Sequence, residues 1–157
     1  ESSLFFSGMR PAVNVGLSVS RVGGDAQTKA MKKAAGSLRI DLAQYREMEV
    51  FTQFSSDLDD ATKEQLEYGS GLMELLKQPL GKPMSLADKV ITLCAARHKV
   101  MLGIPTAKVK GFQMDMLSYF ASAHPEIARE IEETKDLSKE LSQKIVEIAE
   151  EFKKSRC

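Results

Sequence analysis

The chain has 157 residues and is 43% hydrophobic and 28% charged, a composition typical of one globular domain or of one domain with part of another. Basic and acidic residues number 22 each, so the formal net charge is zero. This balance argues against a nucleic-acid binder, whose affinity depends on neutralising phosphates. No apolar run approaches the ~20 residues of a membrane-spanning helix. The two cysteines are too few for a disulfide framework.

Residues 13–20 predict a β-strand. Their sequence, VNVGLSVS, alternates apolar with small or polar residues, and this period of two is typical of a half-buried strand. Gly23 and Gly24 then end the strand, and Asp25 is expected to cap the following helix. A lone strand cannot pair its own backbone groups, so most of its sheet is expected outside this chain. The chain begins with Glu1 rather than methionine, and we expect it to be a fragment or a processed product.

From residue 25 onward the pattern predicts helices only. Good helix formers fill residues 26–35, and Gly36 with Ser37 interrupts them. An amphipathic stripe follows to about residue 54, and Thr62, Ser85 and Thr106 are candidate caps of later helices. Two more helices are expected over about 126–134 and from about 137 to the last residues. The predicted fold is therefore mostly α: a strand fragment left over from an α/β domain, then a bundle of about six helices.

Arg21 is the residue whose position most favours a chemical role. It follows the predicted strand and precedes a Gly-Gly turn, and ligands bind at the carboxyl ends of strands in open sheets. A guanidinium group suits a phosphate, although an ordinary salt-bridged arginine fits the same position. No phosphate loop of the form G-x-x-x-x-G-K-[ST] occurs in the sequence. His98 and His124 lack neighbours at metal-ligand spacing, so no metal site is predicted.

Several longer motifs occur in a fixed order. Residues 8–24 read GMRPAVNVGLSVSRVGG, residues 26–33 AQTKAMKK, residues 42–47 LAQYRE and residues 74–78 ELLKQ. In this order and spacing they resemble the alpha subunit of the rotary F-type ATP synthase. The resemblance is strong from residue 1 to about 90, and beyond that it extends to the helix layout. The AQYR run and the sequence around Arg21 favour the alpha subunit over the related beta subunit.

The resemblance implies that the sequence is the C-terminal portion of that subunit. Residues 1–24 correspond to the C-terminal edge of the nucleotide-binding domain, and residues 25–157 to the C-terminal helical domain. ATP or ADP with Mg²⁺ is expected in the full-length subunit, and no cofactor is expected on this portion alone. Activity is expected in the assembled, proton-transporting complex, whereas the isolated portion is expected to be inactive.

The resemblance also implies roles for individual residues. Arg21 matches the family's arginine finger, which reaches the nucleotide phosphates at the catalytic site of the adjacent beta subunit. Ser18 matches a family position that is required for activity. Arg10 and Pro11 match residues lining the adenine pocket of the subunit's own non-catalytic nucleotide site, and Gln78 matches another residue of that pocket.

The loop after Gln78 departs from the family pattern, because Leu80 stands where a second Gln is common and Lys82 where a Ser precedes Pro. Adenine contact from this loop is therefore expected at Gln78. The implied partners are beta subunits, which alternate with alpha in a ring, and the central-stalk gamma subunit near Phe54–Asp60. The complex is expected at the cytoplasmic face of a bacterial plasma membrane or at an organellar inner membrane, without direct insertion. A free-standing helical interaction module is the alternative, but it does not account for residues 18–24.

Overall fold

The computed structural model describes residues 1–52 and 58–156. Within these residues the polypeptide forms nine α-helices and no β-strand. They are α1 (Ser2–Phe6), α2 (Arg21–Ala26), α3 (Lys29–Ala34), α4 (Leu38–Thr52), α5 (Asp60–Leu76), α6 (Leu86–Arg97), α7 (Thr106–Ala123), α8 (Pro125–Thr134) and α9 (Lys139–Arg156). The prediction of a mostly α fold is confirmed. In the described ranges no helix has both the length and the apolar character needed to cross a membrane.

The helices belong to two compact units, each assembled from three separate stretches of the sequence. Unit 1 comprises Glu1–Val19, Ser37–Lys82 and Met101–Lys110. Unit 2 comprises Ser20–Gly36, Pro83–Val100 and Gly111–Cys157. The predicted domain boundary near residue 25 follows from the resemblance alone, and it stays a prediction.

Unit 1 is organised around the packing of α4 against α5. Leu42 of α4 and Leu72 of α5 are both buried, and the phenol of Tyr68 donates to Asp41 Oδ2 at 3.0 Å. Gly69 lies directly under the Tyr45 side chain, and the missing Cβ allows the two helices to approach closely. This pair of helices is therefore held by apolar burial together with a contact that requires glycine.

Unit 2 is organised around α6, which packs against α3, α8 and α9. All residues of α6 from Val90 to Ala96 are buried, because neighbouring helices surround this stretch of α6 on several sides. Its first turn is fixed twice: the Ser85 hydroxyl accepts the Asp88 N–H, and the Glu132 carboxylate accepts the Ala87 N–H, both at 3.0 Å. The predicted cap at Ser85 is thus confirmed.

The predicted strand over residues 13–20 is wrong. These residues form turns and irregular backbone, with the Ser18 N–H donating to Asn14 O at 2.8 Å. The Asn14 side chain also accepts the Leu17 N–H at 3.3 Å, a local bond of the kind that competes with strand pairing. No second strand occurs among the described residues to complete a ladder, so the alternating pattern alone does not produce one.

Two helix starts also differ from the prediction. Asp25 lies inside α2, whose N-cap is Ser20, and the cap of α3 is Thr28. Helix α5 begins at Asp60 because the Asp59 carboxylate accepts the Thr62 N–H at 2.7 Å. In both cases a capping side chain nearby in the sequence accepts one of the free N–H groups of the first turn.

Candidate functional site

Two of the predicted adenine-pocket residues, Arg10 and Gln78, meet in unit 1. The N–H of Gln78 donates to the carbonyl oxygen of Arg10 at 2.9 Å. Helix α5 ends at Leu76 with Lys77 as its C-cap, so Gln78 is the second residue after the helix. A backbone hydrogen bond therefore joins two candidate residues that are far apart in the sequence.

Arg10 is held in place through the residue before it and through its own side chain. Leu4 and the preceding residue, Met9, are buried, and the Met9 N–H donates to Leu4 O at 2.8 Å. The Arg10 guanidinium carbon lies 4.4 Å from the centroid of the Phe5 ring, a cation–π distance. The side chain is exposed, so its five N–H donors can reach a ligand at the surface of the unit.

The other residues of this loop region are exposed as well. Pro11 follows Arg10 directly, and its carbonyl accepts the Val13 N–H at 2.9 Å in a tight turn. Leu80, where the family pattern often has Gln, is fully exposed and offers no amide to a ligand. Gln78 is therefore the amide side chain that the start of this loop presents at the surface.

An open cavity of about 630 Å³ lies in unit 1 beside the Arg10–Gln78 junction. Its lining includes Met9 and Lys77, the residues that precede Arg10 and Gln78. Tyr45 and Met73 supply apolar surface, and Arg46 is one of its charged residues. The volume lies within the range of small-molecule sites, but Arg10, Pro11 and Gln78 are not themselves among the lining residues.

Lys110 is a further residue of this region, and no motif in the sequence points to it. Its ammonium group donates to Leu75 O at 3.2 Å and to Lys77 O at 2.6 Å, at the C-terminal end of α5. A cation at this end of a helix is favourable because the last carbonyls lack partners and carry partial negative charge. Burial lowers the pKa of Lys110, while the nearby carboxylate of Glu74 acts in the opposite direction.

Ser18 and Arg21, the candidate catalytic residues, are both exposed. Arg21 is the first residue of α2 rather than the end of a strand, which corrects the structural argument made for it from the sequence. Among the described residues the Arg21 side chain has no hydrogen-bonding or ion-pairing partner. The guanidinium is thus available to a group outside the described part of the polypeptide.

The segment predicted to face a central stalk, Phe54–Asp60, is described only in part. Residues 54–57 lie outside the described residues, whereas Asp59 and Asp60 form the start of α5. Hydrogen bonds from Thr62 lower the pKa of Asp59, first the one from its side-chain hydroxyl and then the one from its N–H, which the carboxylate accepts at 2.7 Å. Asp59 therefore has a structural role as a helix cap, and the stalk contact stays a prediction.

Comparison with known proteins identifies the family. Residues 27–152 match the family described as ATP synthase alpha/beta chain, C terminal domain. The sequence is 52% identical over 154 residues to the ATP synthase subunit alpha of Clostridium kluyveri, covering 98% of this chain and 31% of that protein. It is 53% identical over 153 residues to the subunit of the same name from Acetivibrio thermocellus, covering 98% and 30%.

A third relative, the ATP synthase subunit alpha of Petrotoga mobilis, is 49% identical over 152 residues, covering 97% of this chain and 30% of that protein. The chain therefore spans about a third of the length of the curated relatives that it matches. The family match covers most of the sequence, and it agrees with the helical fold of the described residues. The protein belongs to the family formed by the C-terminal domains of ATP synthase alpha and beta subunits.

Proposed function

We propose that this chain is the C-terminal part of an ATP synthase alpha subunit and serves two nucleotide sites. One is the subunit's own non-catalytic site, where Arg10, Pro11 and Gln78 contact the adenine of ATP or ADP. The other is the catalytic site of the adjacent beta subunit, to which Arg21 is donated and for whose activity Ser18 is required. The observation that carries the proposal is the hydrogen bond between Gln78 N–H and Arg10 O, 2.9 Å long, which brings two of the three proposed adenine-contacting residues together.

The residues at this junction suit the base rather than the phosphates of a nucleotide. The Gln78 amide can both donate and accept, which matches the mixed edge of adenine, and Arg10 can stack or donate. The sequence contains no phosphate loop, so the phosphates and the Mg²⁺ that accompanies them are assigned to another part of the subunit. When bound, the magnesium ion would neutralise phosphate charge, whereas the residues described here supply base recognition.

For Arg21 the proposal assigns electrostatic stabilisation of a phosphoryl-transfer transition state. An arginine supplied in trans contributes roughly 10³–10⁵ in turnover in enzymes of this kind. Arg21 is exposed and has no hydrogen-bonding or ion-pairing partner within the described residues, so the fold there does not use its charge. A change in turnover after substitution of Arg21 can therefore be attributed to the chemical step, because the substitution should have little effect on folding.

The proposed assembly follows from these roles. Beta subunits would alternate with alpha subunits in a ring, since a finger donated in trans requires a neighbour. The gamma subunit of the central stalk would lie near Phe54–Asp60. The complex would synthesise or hydrolyse ATP coupled to proton transport, attached peripherally at the cytoplasmic face of a bacterial plasma membrane.

The test uses the assembled complex with Arg21→Ala and Arg21→Lys in the complete alpha subunit. We expect Arg21→Ala to lower steady-state ATP turnover by about 10³ or more, with nucleotide affinity nearly unchanged. Lysine should rescue poorly, because a planar fork is replaced by a point charge. Lys32→Ala, an exposed cation on the following helix, is the matched control and should keep full turnover. Equal turnover of wild type and Arg21→Ala would refute the finger role.

A further inference from the structure

We propose that Lys110 is a positioning residue for the adenine-contacting junction, acting through a single peptide unit. This inference rests on the proposed function of Arg10 and Gln78. The carbonyl of Lys77 and the N–H of Gln78 belong to the same peptide group. Lys110 donates to that carbonyl at 2.6 Å, and the N–H of the same group donates to Arg10 O at 2.9 Å.

Because the peptide group is planar, the orientation of its oxygen and the orientation of its N–H are coupled. The oxygen and the N–H of a trans peptide point in opposite directions and cannot rotate independently. Fixing the oxygen with an ammonium group therefore fixes the direction of the N–H toward Arg10. A charge-assisted bond to the oxygen also polarises the amide, which makes its N–H a better donor.

Lys110 is held in place by its other contacts. It lies in the first two turns of α7 and is half-buried, and it donates a second bond to Leu75 O at 3.2 Å. Glu74, the carboxylate that favours its charged form, is itself paired with Lys77. The ammonium therefore bonds to two carbonyls shortly before Gln78 and sets the angle at which the loop leaves α5.

The first experiment measures directly whether Lys110 holds the Gln78 amide in place, and it uses the 157-residue protein. Amide hydrogen exchange is followed residue by residue in wild type, Lys110→Met and Lys108→Met. Methionine keeps most of the apolar stem and removes the charge, and Lys108 is an exposed lysine on the same helix. We expect the Gln78 amide to exchange about tenfold faster in Lys110→Met, with core amides of α4 and α5 unchanged. Unchanged exchange at Gln78, or equally faster exchange throughout unit 1, would overturn the positioning role.

The second experiment measures ATP affinity of the complete alpha subunit by calorimetry. Lys110→Met is expected to weaken ATP binding by about tenfold and to reduce the preference for ATP over GTP, while Lys110→Arg restores most of both. In an Arg10→Ala, Gln78→Ala background the Lys110→Met effect should largely disappear, because both side chains that the peptide positions are then absent. Additive effects would overturn the inference.

The same measurements separate the inference from the function on which it rests. If Gln78→Ala weakens ATP binding and Lys110→Met does not, the positioning role alone is overturned. If neither Arg10→Ala nor Gln78→Ala changes ATP affinity, the proposed adenine contact fails. In that case the amide exchange of Gln78 still decides whether Lys110 controls the peptide.

Discussion

Replacing Gly69 with alanine tests how closely α4 packs on α5. The substitution sets the cost of a steric clash at that contact against the gain that helices ordinarily obtain from alanine. A Cβ added at Gly69 would lie 2.3 Å from Tyr45 Cδ2, 2.4 Å from Cγ and 2.5 Å from Cβ. Carbon atoms in good contact are about 3.5–4.0 Å apart, so the two side chains must separate by roughly 1 Å or more. Rotation about χ1 moves the Tyr45 ring but not its Cβ. Helix α4 itself must therefore shift.

The expected magnitude follows from two opposing terms. Alanine in place of glycine inside a helix gains about 1 kcal/mol. Overpacking costs about 1–3 kcal/mol, and a clash that involves a Cβ atom belongs near the upper end. Gly69→Ala should therefore destabilise unit 1 by about 2 kcal/mol. Gly71 lies in the same helix and would meet no atom within 4 Å, so Gly71→Ala should stabilise it by about 0.5–1 kcal/mol.

Urea unfolding followed by circular dichroism measures the free energy of unfolding of both variants, with a check that the slope m is unchanged. The two substitutions are chemically identical and lie two positions apart, so their difference isolates the contact with Tyr45. Tyr45→Ala combined with Gly69→Ala should rescue only part of the loss, because the Cβ of residue 45 remains. If Gly69→Ala were as stable as Gly71→Ala, the close approach of α4 and α5 would be refuted.

Three further predictions concern unit 2 and the protein as a whole. In a Cys157→Ser background the buried Cys94, whose pKa burial raises, should react with a thiol reagent far more slowly in the native protein than in urea; equal rates would contradict its burial. The pKa of Glu132 is lowered from 4.5, first by Lys135 and then by the Ala87 N–H, so its stabilisation is present above pH 4.5 and is lost as pH falls through the lower folded-state value. Because the Glu132 side chain is 40% exposed and solvent screens its charge, Glu132→Gln should cost only about 0.3–1 kcal/mol at pH 7 and little at pH 3 in urea unfolding, with Glu133→Gln as a near-neutral control. Finally, the isolated protein should release no phosphate from ATP; turnover that Arg21→Ala abolishes would contradict this.

Local signals in the sequence were sufficient for several helix boundaries. Ser85 caps α6 as predicted, the helical run breaks at Gly36 and Ser37, and α7 ends at Ala123 before His124 and a proline. These features depend on a few neighbouring residues, whose hydrogen bonds or ring geometry do not need the rest of the fold. The strand failed for the opposite reason. An alternating pattern indicates which face of a strand is apolar, but only a neighbouring strand can pair the backbone N–H and C=O groups.

The candidate site was accessible through family resemblance rather than through spacing. Nothing in the local sequence relates Arg10 to Gln78, since their contact arises from the way α5 returns to the first residues of unit 1. The positioning role of Lys110 could not be predicted for the same reason, because the helical pattern does not distinguish Lys110 from Lys108. Its role depends on two carbonyls contributed by another helix, and no periodicity reports on them.

The interleaving of the two units along the sequence has a consequence for synthesis on the ribosome. Unit 1 cannot close until Lys110 has left the exit tunnel, and unit 2 must also wait for α9, which packs against the buried α6. Helix α3 is made early, yet the Ala30 N–H bonds to Lys135 O and the Lys33 ammonium to Asp136, residues translated about a hundred codons later. During that interval the apolar faces of α3 and α6 are exposed on the nascent polypeptide. At elongation speeds of roughly 5–20 residues per second the exposure lasts several seconds, long enough for a chaperone to bind.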